Sequence, residues 1–354
     1  MIAHRSPVAS PAERGEEFGA AHAAAVAANV DRYAELLGAA EPRPLGEEAL
    51  RAIAAHAPAP AAEIRGIAGG AGLEPWAVAL LNARTEALAR LDAGAGGECS
   101  TVVALGPAGT PPVTLQTWDW HDVFADGWLV WTIELPDGTV LHTLTEYGML
   151  AKIGVNSHGV GLHFNILHHA SDGGPVGLPV HVLARTVLER ARDAGQAVAL
   201  LGAVEVSASS VLTVVVDGAA VCAELAPAGP RFVTAGAGGL LVHTNHFLDP
   251  HLAAGDRAPR LGPDSYLRHD VLTRGLAAAP PPRDRDDLLA LMADHTAGVC
   301  CHPQPGAPLG ERWATLATVS LDVAAGALHV RRGGPCDARA GWHETSLTTQ
   351  GTPA

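Results

Sequence analysis

The sequence predicts an α+β protein in which a helical amino-terminal part is followed by a long region rich in β-strands. Ala-rich stretches with apolar residues at helical spacing occupy residues 10–92, and alternating or β-branched runs begin at residue 100. Hydrophobic residues make up 48% and charged residues 17% of the 354 residues, so one large domain with a substantial core can form. Because strands and helices interleave after residue 100, we expect two sheets between helical layers.

The amino-terminal helices are predicted from their start signals. Residues 10–13 (SPAE) form a capping box with proline at the first helical position, which marks a helix start. Further helices fit residues 47–57 and 61–71, and Pro75 begins another that extends to residue 91.

The β-rich region is predicted from period-two alternation between Gly, Pro and Asp turns, such as residues 136–138 (PDG). Strands are expected at residues 100–105, 113–120, 128–135, 139–146, 151–155, 159–165, 210–216, 219–225, 239–243, 315–322 and 327–332. Helices are expected at residues 179–203, 264–278 and 286–294.

The net charge limits the kinds of binding partner, and the cysteine content indicates the cellular compartment. The formal net charge of −14 argues against nucleic acid and anionic membrane surfaces, which attract basic patches. No apolar run has the length of a signal peptide or a transmembrane span. Five cysteines without C-x-x-C pairs favour a reduced, cytoplasmic protein.

Cys99 is the strongest candidate functional residue, because it stands at the junction of the helical and β-rich regions, behind residues 94–97 (GAGG) and Glu98. Cleavage of the Glu98–Cys99 bond would give Cys99 both a thiol and a free α-amine. An α-amine has a pKa of roughly 7.7–8, which suits a general base near neutral pH. A nucleophile and its base can thus reside in one residue. The alternative interpretation is a free thiol that fills the core.

Motifs in order along the chain resemble the acyl-CoA:6-aminopenicillanic acid acyltransferase (isopenicillin N acyltransferase) family of cysteine N-terminal nucleophile (Ntn) hydrolases. They are residues 14–19 (RGEEFG), 63–71 (EIRGIAGGA), 80–86 (LLNARTE), 97–101 (GECST), 116–120 (QTWDW), 152–161 (KIGVNSHGVG), 241–247 (LVHTNHF), 264–268 (DSYLR) and 315–319 (TLATV).

The resemblance implies a four-layer αββα Ntn-hydrolase sandwich, with two antiparallel sheets between helical layers. It also implies self-cleavage between Glu98 and Cys99, which leaves residues 1–98 and 99–354 associated as an αβ heterodimer. The expected activity is hydrolysis or acyl transfer on a small-molecule amide through a Cys99 acyl-thioester. No cofactor is expected, and acyl-coenzyme A is kept open as a co-substrate.

Three further residues are predicted to act with Cys99. Asp119 follows it by 20 residues on the partner strand of one hairpin, where its carboxylate could hold the Cys99 ammonium. The resemblance places an oxyanion-hole amide at Asn245 and an active-site arginine at Arg268, which would pair with Asp119 or orient the amine. A strand-end turn residue and a surface helical arginine are the structural alternatives for Asp119 and Arg268.

A second group of residues is predicted more weakly to line or brace the substrate pocket. Its members are Trp118, Trp120, His121, Asn156, Ser210 and Thr315. Asn165 is expected, like Asn156, to brace the walls of the site, and a turn asparagine is the alternative for both. Trp118, Trp120, Trp128 and Trp131 favour an apolar or aromatic pocket. The resemblance associates Ser210 and Thr315 with maturation or turnover.

No metal site is predicted. His243 and His246 are interpreted as hydrogen-bonded strand-end residues, and the adjacent Cys300 and Cys301 as structural, because adjacent strand residues point to opposite sides. Two other classes of function stay open: a metal-dependent hydrolase that uses some of the 18 histidines, and a binding protein without catalysis.

Overall fold

The computed structural model of this chain describes residues 2–38, 41–91, 99–236, 238–304, 306–308 and 311–347. The predicted cleavage position at Glu98 and the glycine turn before it lie outside the described residues.

The helices are numbered in chain order. They are α1 (Pro11–Ala21), α2 (Ala23–Leu37), α3 (Pro42–His56), α4 (Pro58–Ala71), α5 (Pro75–Asn82), α6 (Arg84–Arg90), α7 (Val180–Arg190), α8 (Ala194–Gly202), α9 (Pro250–Ala253), α10 (Ala258–Leu261), α11 (Asp264–Ala278) and α12 (Arg285–Met292), with a short 3₁₀ turn at Asp122–Phe124.

The strands are numbered in the same way. They are β1 (Ala3–Ser6), β2 (Ser100–Ala104), β3 (Val113–His121), β4 (Trp128–Glu134), β5 (Val140–Glu146), β6 (Ile153–Asn156), β7 (Gly161–Ile166), β8 (Ser210–Val216), β9 (Ala219–Leu225), β10 (Arg231–Thr234), β11 (Leu240–His243), β12 (Trp313–Asp322), β13 (Ala327–Arg332) and β14 (His343–Glu344).

Local signals explain how the amino-terminal helices begin and pack. The capping box at α1 is confirmed: the Ser10 hydroxyl accepts from the Glu13 amide, and the Glu13 carboxylate accepts from the Ser10 amide. The backbones of α1 and α4 approach so closely that a Cβ on Gly15 would lie 2.2 Å from the Glu63 carbonyl oxygen. Gly15, Gly19, Gly66 and Gly70 of the first two motifs therefore allow the close packing of α1 against α4.

The strands form two sheets among the described residues. The eight-stranded sheet has the order β1-β4-β5-β6-β7-β8-β9-β10, and the six-stranded sheet has the order β11-β2-β3-β12-β13-β14. Neighbouring strands are antiparallel except for β1, which pairs parallel with β4. The two sheets face each other, with β2 against β7 and β12 against β6.

Helices cover the outer face of each sheet. α7 and α8 pack on the eight-stranded sheet and the amino-terminal helices join them through α5, while α11 and α12 pack on the six-stranded sheet. Successive side chains of a strand point to opposite faces of its sheet, so β2 contributes to two hydrophobic clusters. Val103 belongs to the large cluster between the sheets, and Val102 belongs to the smaller cluster beneath α11 and α12. The predicted four-layer αββα sandwich is confirmed.

Two predicted helices are each divided in the structure. The helix expected at 179–203 ends at Arg190, and Asp193 begins α8 by accepting a hydrogen bond from the Gln196 amide, so a capping residue interrupts the run. The helix expected from Pro75 to residue 91 breaks at Ala83. No helix among the described residues combines the length and apolarity needed to cross a membrane.

Candidate active site

Cys99 directly precedes β2 and is buried, with 2% of its surface exposed. Its side chain belongs to the core cluster between the sheets, together with Trp118 and Trp120 of β3. The Sγ atom lies 3.8 Å from the main-chain carbonyl oxygen of Asp119. The predicted hairpin thus brings Cys99 and Asp119 into contact, but through the backbone of Asp119.

The main-chain carbonyl oxygen of Cys99 accepts two hydrogen bonds from side chains. Asn165 of β7 donates through Nδ2 and Arg268 of α11 donates through Nη1, each at 3.0 Å. These donors come from opposite sides of the six-stranded sheet. The position of the Cys99 backbone is therefore set by both the second sheet and the outer helical layer.

Arg268 is fully buried and binds several groups of the site at once. Besides the Cys99 carbonyl, it donates to Ser100 Oγ and Asn245 Oδ1, at 3.0 Å each, and its Nε lies 3.2 Å from Asp264 Oδ2. The five-donor guanidinium suits this role, because its planar fork can reach several acceptors. The alternative of a surface arginine is wrong.

Asn245 follows β11 and is held at both ends of its amide. Its Oδ1 accepts from Arg268, its Nδ2 donates to the Ile166 carbonyl at 2.8 Å, and its backbone amide donates to Ser265 Oγ at 2.7 Å. An amide nitrogen carries two hydrogens. One is used on Ile166, and the second is the one that can donate to a developing oxyanion.

Asp119 lies opposite Thr315 in the pairing of β3 with β12. Its Oδ2 accepts from Thr117 Oγ1 at 3.4 Å, and the same hydroxyl accepts from the Ser100 amide at 3.2 Å. The carboxylate is therefore linked to the start of β2 through one threonine.

Lys152 is the single lysine of the sequence, and it is fully buried beside Cys99. Its ammonium forms an ion pair with Glu146 and lies 3.9 Å from the centroid of the Trp118 ring. Glu146 also binds Arg84, at 3.3 Å, and the Tyr33 hydroxyl. Glu146, at the end of β5, therefore joins Lys152 to Tyr33 of α2 and Arg84 of α6.

The Cys99 thiol is protonated at neutral pH in this arrangement. Burial, followed by the nearby Asp119 charge, raises the pKa of the thiol to about 12, against the opposing effects of Lys152 and Arg268. A thiol is a weak nucleophile compared with its thiolate, so a base next to Sγ is needed for reaction.

The weakly predicted pocket residues divide into two groups. Trp118 and Trp120 are buried in the core, and the His121 ring lies 4.3 Å from the Trp313 ring. Thr315 pairs with Asp119, and its hydroxyl accepts from the Cys301 amide at 2.9 Å.

Ser210 and Asn156 lie on the eight-stranded sheet. Ser210 pairs with Ile166, the residue whose carbonyl binds Asn245. Asn156 donates to the Leu188 and Ala191 carbonyls and accepts from two amides of its own turn. Its contacts brace a helix and a turn and include none of the groups around Cys99, as expected for a turn asparagine.

His243 and His246 are hydrogen bonded, as the sequence predicts. His243 Nε2 lies 2.8 Å from Glu224 Oε1, and His246 Nδ1 lies 2.8 Å from Ser265 Oγ.

The sequence predicted only a bracing role in the walls of the site for Asn165 and no role for Lys152, and it did not predict that either residue lies beside Cys99. Asn165 stands in an ordinary strand pattern, and only the packing of β7 against β2 shows that it binds Cys99. Lys152 did have a signal in the sequence: it is the single lysine among 23 basic residues, and it stands within the largely apolar segment predicted as a strand at 151–155.

The fold and site describe a two-sheet αββα protein with a buried cysteine where the second strand of the chain begins. This chain belongs to the acyl-coenzyme A:6-aminopenicillanic acid acyl-transferase family, whose sequence model matches residues 106–337. The matched range begins after Cys99 and includes Asp119, Asn245 and Arg268. The predicted family is therefore confirmed.

A curated relative is the acyl-coenzyme A:6-aminopenicillanic-acid-acyltransferase 40 kDa form of Emericella nidulans, 33% identical over 210 residues. The match covers 58% of this chain and 57% of that relative. Similar solved structures include a penicillin V acylase from Agrobacterium tumefaciens, with TM-score 0.49, 15% identity and coverage of 70% of this chain and 86% of that chain. A variant of conjugated bile acid hydrolase from Clostridium perfringens has TM-score 0.42, 10% identity and coverage of 72% and 86%.

Proposed function

We propose that this chain is a self-processing amidohydrolase or acyltransferase in which Cys99 is the nucleophile. The observation that carries the proposal is the set of contacts that positions Cys99. Asn165 and Arg268 each donate a hydrogen bond of 3.0 Å to its carbonyl oxygen, and its Sγ lies beside the carbonyl oxygen of Asp119. A residue that only filled the core would not need a charged side chain from another layer on its backbone. Family membership supports the same chemistry.

In the first step the Cys99 thiol attacks the carbonyl carbon of Glu98. A C–S bond forms, the Glu98–Cys99 C–N bond breaks, and the thiol proton passes to the departing nitrogen. Water then opens the thioester: its hydroxyl group completes a carboxyl group on Glu98, and its remaining hydrogen restores the thiol of Cys99. The product is an α-amine on Cys99, two bonds from the carbon that carries its thiol.

In turnover that amine acts as the base that the buried thiol requires. It takes the Sγ proton as sulfur attacks the acyl carbon of a small-molecule amide, and it gives the proton to the leaving amine. Asp119 holds the protonated amine by charge, and the second hydrogen of Asn245 Nδ2 stabilises the oxyanion.

The acyl-thioester is resolved by water or by an acceptor amine. We favour water, because the sequence has no recognisable coenzyme A motif, and we keep acyl-coenzyme A as an alternative acyl donor. The Emericella nidulans relative is named for acyl transfer from coenzyme A. Incubating purified protein with an N-acyl amide, with and without a competing amine, measures the partition between the two outcomes.

The direct test of Cys99 is capture of the acyl group. Purified protein quenched in acid during turnover should carry the acyl mass on a peptide that begins with Cys99, and Cys99→Ala should carry none.

Asp119→Asn should slow turnover by orders of magnitude without unfolding the protein. Asp122→Asn, which removes a surface ion pair with Arg312, is the matched control. A metal-dependent hydrolase or a binding protein is favoured instead if Cys99→Ala turns over normally or if no acyl mass appears.

We further propose that residues 1–98 and 99–354 remain one particle after cleavage, and that the protein works in a reducing compartment such as the cytoplasm. All five cysteines lie among the described residues, and none of them forms a disulfide.

A further inference from the structure

Four side chains outside the candidate active site converge on one point beside the six-stranded sheet. His295, Cys300 and His302 belong to the segment that joins α12 to β12, and Cys336 follows β13. Their ligand atoms all lie within 4.8 Å of one another. Sequence reasoning discarded this region because Cys300 and Cys301 are adjacent, and Cys301 is indeed outside the cluster; the second thiol comes from Cys336 instead.

The spacing of the donor atoms fits a tetrahedral metal ion. Cys300 Sγ lies 3.4 Å from Cys336 Sγ, and His302 Nε2 lies 3.6 Å from the first sulfur and 3.3 Å from the second. With zinc bonds of about 2.3 Å to sulfur and 2.0–2.1 Å to nitrogen, neighbouring ligands of a tetrahedron are about 3.3–3.8 Å apart. The three separations between these ligand atoms are thus within about 0.4 Å of those in a tetrahedral zinc site.

The surroundings also fit an ion site that opens towards solvent. Cys300 is buried, Cys336 is partly buried, and His295 and His302 are exposed, with their rings 4.9 Å apart. Gly334 has no side chain to obstruct the sulfur, since a Cβ there would lie 2.4 Å from Cys300 Sγ.

We propose that His295, Cys300, His302 and Cys336 bind one zinc ion. Two thiolates and two imidazoles in a tetrahedral arrangement are a donor set that selects zinc among the common divalent ions. Four protein ligands leave no open position for a substrate or a reactive water, so the ion is structural and not catalytic.

The ion would link the segment before β12 to the segment after β13, next to the strand that pairs with β3. Between Cys300 and His302, Cys301 is paired with Thr315 through both its amide and its carbonyl, at 2.9 Å each, and Thr315 pairs with Asp119. Zinc would therefore stabilise the start of β12, the strand that pairs with β3 at Asp119. The proposal does not depend on the function proposed for Cys99.

The test uses full-length protein purified under reducing conditions, loaded with zinc, freed of excess metal and analysed by elemental mass spectrometry. We expect about one zinc per chain. Cys300→Ser and Cys336→Ser should each lose most of it and lower the melting temperature, while Cys301→Ser, a thiol of the same loop outside the cluster, should retain it. Cys99→Ala should also retain zinc, so a failed nucleophile assignment and a failed zinc site are distinguishable.

A thiol count and a metal substitution provide the second readout. Denatured protein treated with chelator should show five reactive thiols, and cobalt in place of zinc should give the d–d absorption of a tetrahedral thiolate complex. Three outcomes would overturn the proposal: wild-type protein that binds no zinc, a Cys300–Cys336 disulfide that leaves three thiols, or zinc content unchanged in both serine variants. Iron or copper bound in place of zinc would also overturn it.

Discussion

Arg268 donates a hydrogen bond of 3.0 Å to the main-chain carbonyl oxygen of Cys99, from a helix on the opposite side of the sheet from the thiol. The same guanidinium holds Asn245 Oδ1 at 3.0 Å. One buried side chain thus sets the separation between the proposed nucleophile and the proposed oxyanion donor. That relationship predicts the effects of several substitutions.

Arg268→Lys should slow both self-cleavage and turnover, even though the charge is kept. A single ammonium cannot reach Cys99, Ser100 and Asn245 with the geometry of the guanidinium fork. Loss of one hydrogen bond to a charged group costs about 1.5–3 kcal/mol, which corresponds to roughly 10–150-fold in rate if it is felt in the transition state. The effect on self-cleavage is measured as the rate at which the two cleaved chains appear. Arg274→Lys, at an exposed position of the same helix, is the control, and equal rates in the two variants would argue against the role of Arg268.

Asn245→Ala should lower kcat by roughly 10²–10³, the cost of losing one oxyanion donor. It should also lower the free energy of unfolding by about 1–3 kcal/mol, because Arg268 and the Ile166 carbonyl each lose a buried partner. Asn156→Ala is the matched control: it removes a buried asparagine whose side-chain hydrogen bonds brace the end of α7 and the turn after β6. If both variants keep wild-type kcat per folded molecule, Asn245 has a structural role only.

His163 should make the protein less stable as the pH falls. Burial lowers the pKa of His163 to about 3, and its Nδ1 lies 3.0 Å from Gln116 Oε1. Because the folded-state pKa lies below the unfolded value of about 6.5, the unfolded chain binds more protons between these values. The contribution of neutral His163 to the free energy of unfolding is therefore complete above about pH 6.5. It is lost as the pH falls towards 3, by about 1.4 kcal/mol per pH unit.

The measurement is urea unfolding between about pH 5.5 and 4, in a Cys99→Ala background that keeps the chain uncut. His163→Gln should reduce the slope of unfolding free energy against pH, and His56→Gln, at an exposed helix end, should not. Identical slopes in all three proteins would contradict the assignment of a neutral buried imidazole to His163.

The two chains produced by cleavage should stay associated without denaturant. Glu63 lies 3.1 Å from Arg185 across the cleavage boundary, and both residues are buried. Asn82 donates to the Gly148 carbonyl and accepts from the Leu150 amide, at 2.9 Å each. Native size-exclusion chromatography should show both chains in one peak, and a free amino-terminal chain in native buffer would contradict this expectation.

Local signals predicted much of the fold. The capping box at Ser10 and the hairpin of β2 with β3 depend on residues close in sequence, and both are confirmed. The breaks were missed because the flanking residues keep a helical apolar pattern, which is interrupted by one residue at Ala83 and by three at residues 191–193. β10 and β14 were missed because they are short edge strands.

The candidate site was harder to predict, since its members meet only through tertiary packing. Cys99 and Asp119 could be placed together because they share a hairpin, whereas Asn165 reaches Cys99 from the other sheet. The four proposed zinc ligands have the same limitation: Cys336 is 36 residues from Cys300, and β12 and β13 bring them together.

The intact mass of the purified protein tests the central claim most directly. After incubation in reducing buffer and denaturation, wild-type protein should give two species that correspond to residues 1–98 and 99–354, with Cys99 as the first residue of the second. Cys99→Ala should give one species of 354 residues. A wild-type chain that persists uncut after long incubation, or one cut equally in the Cys99→Ala variant, would contradict the account.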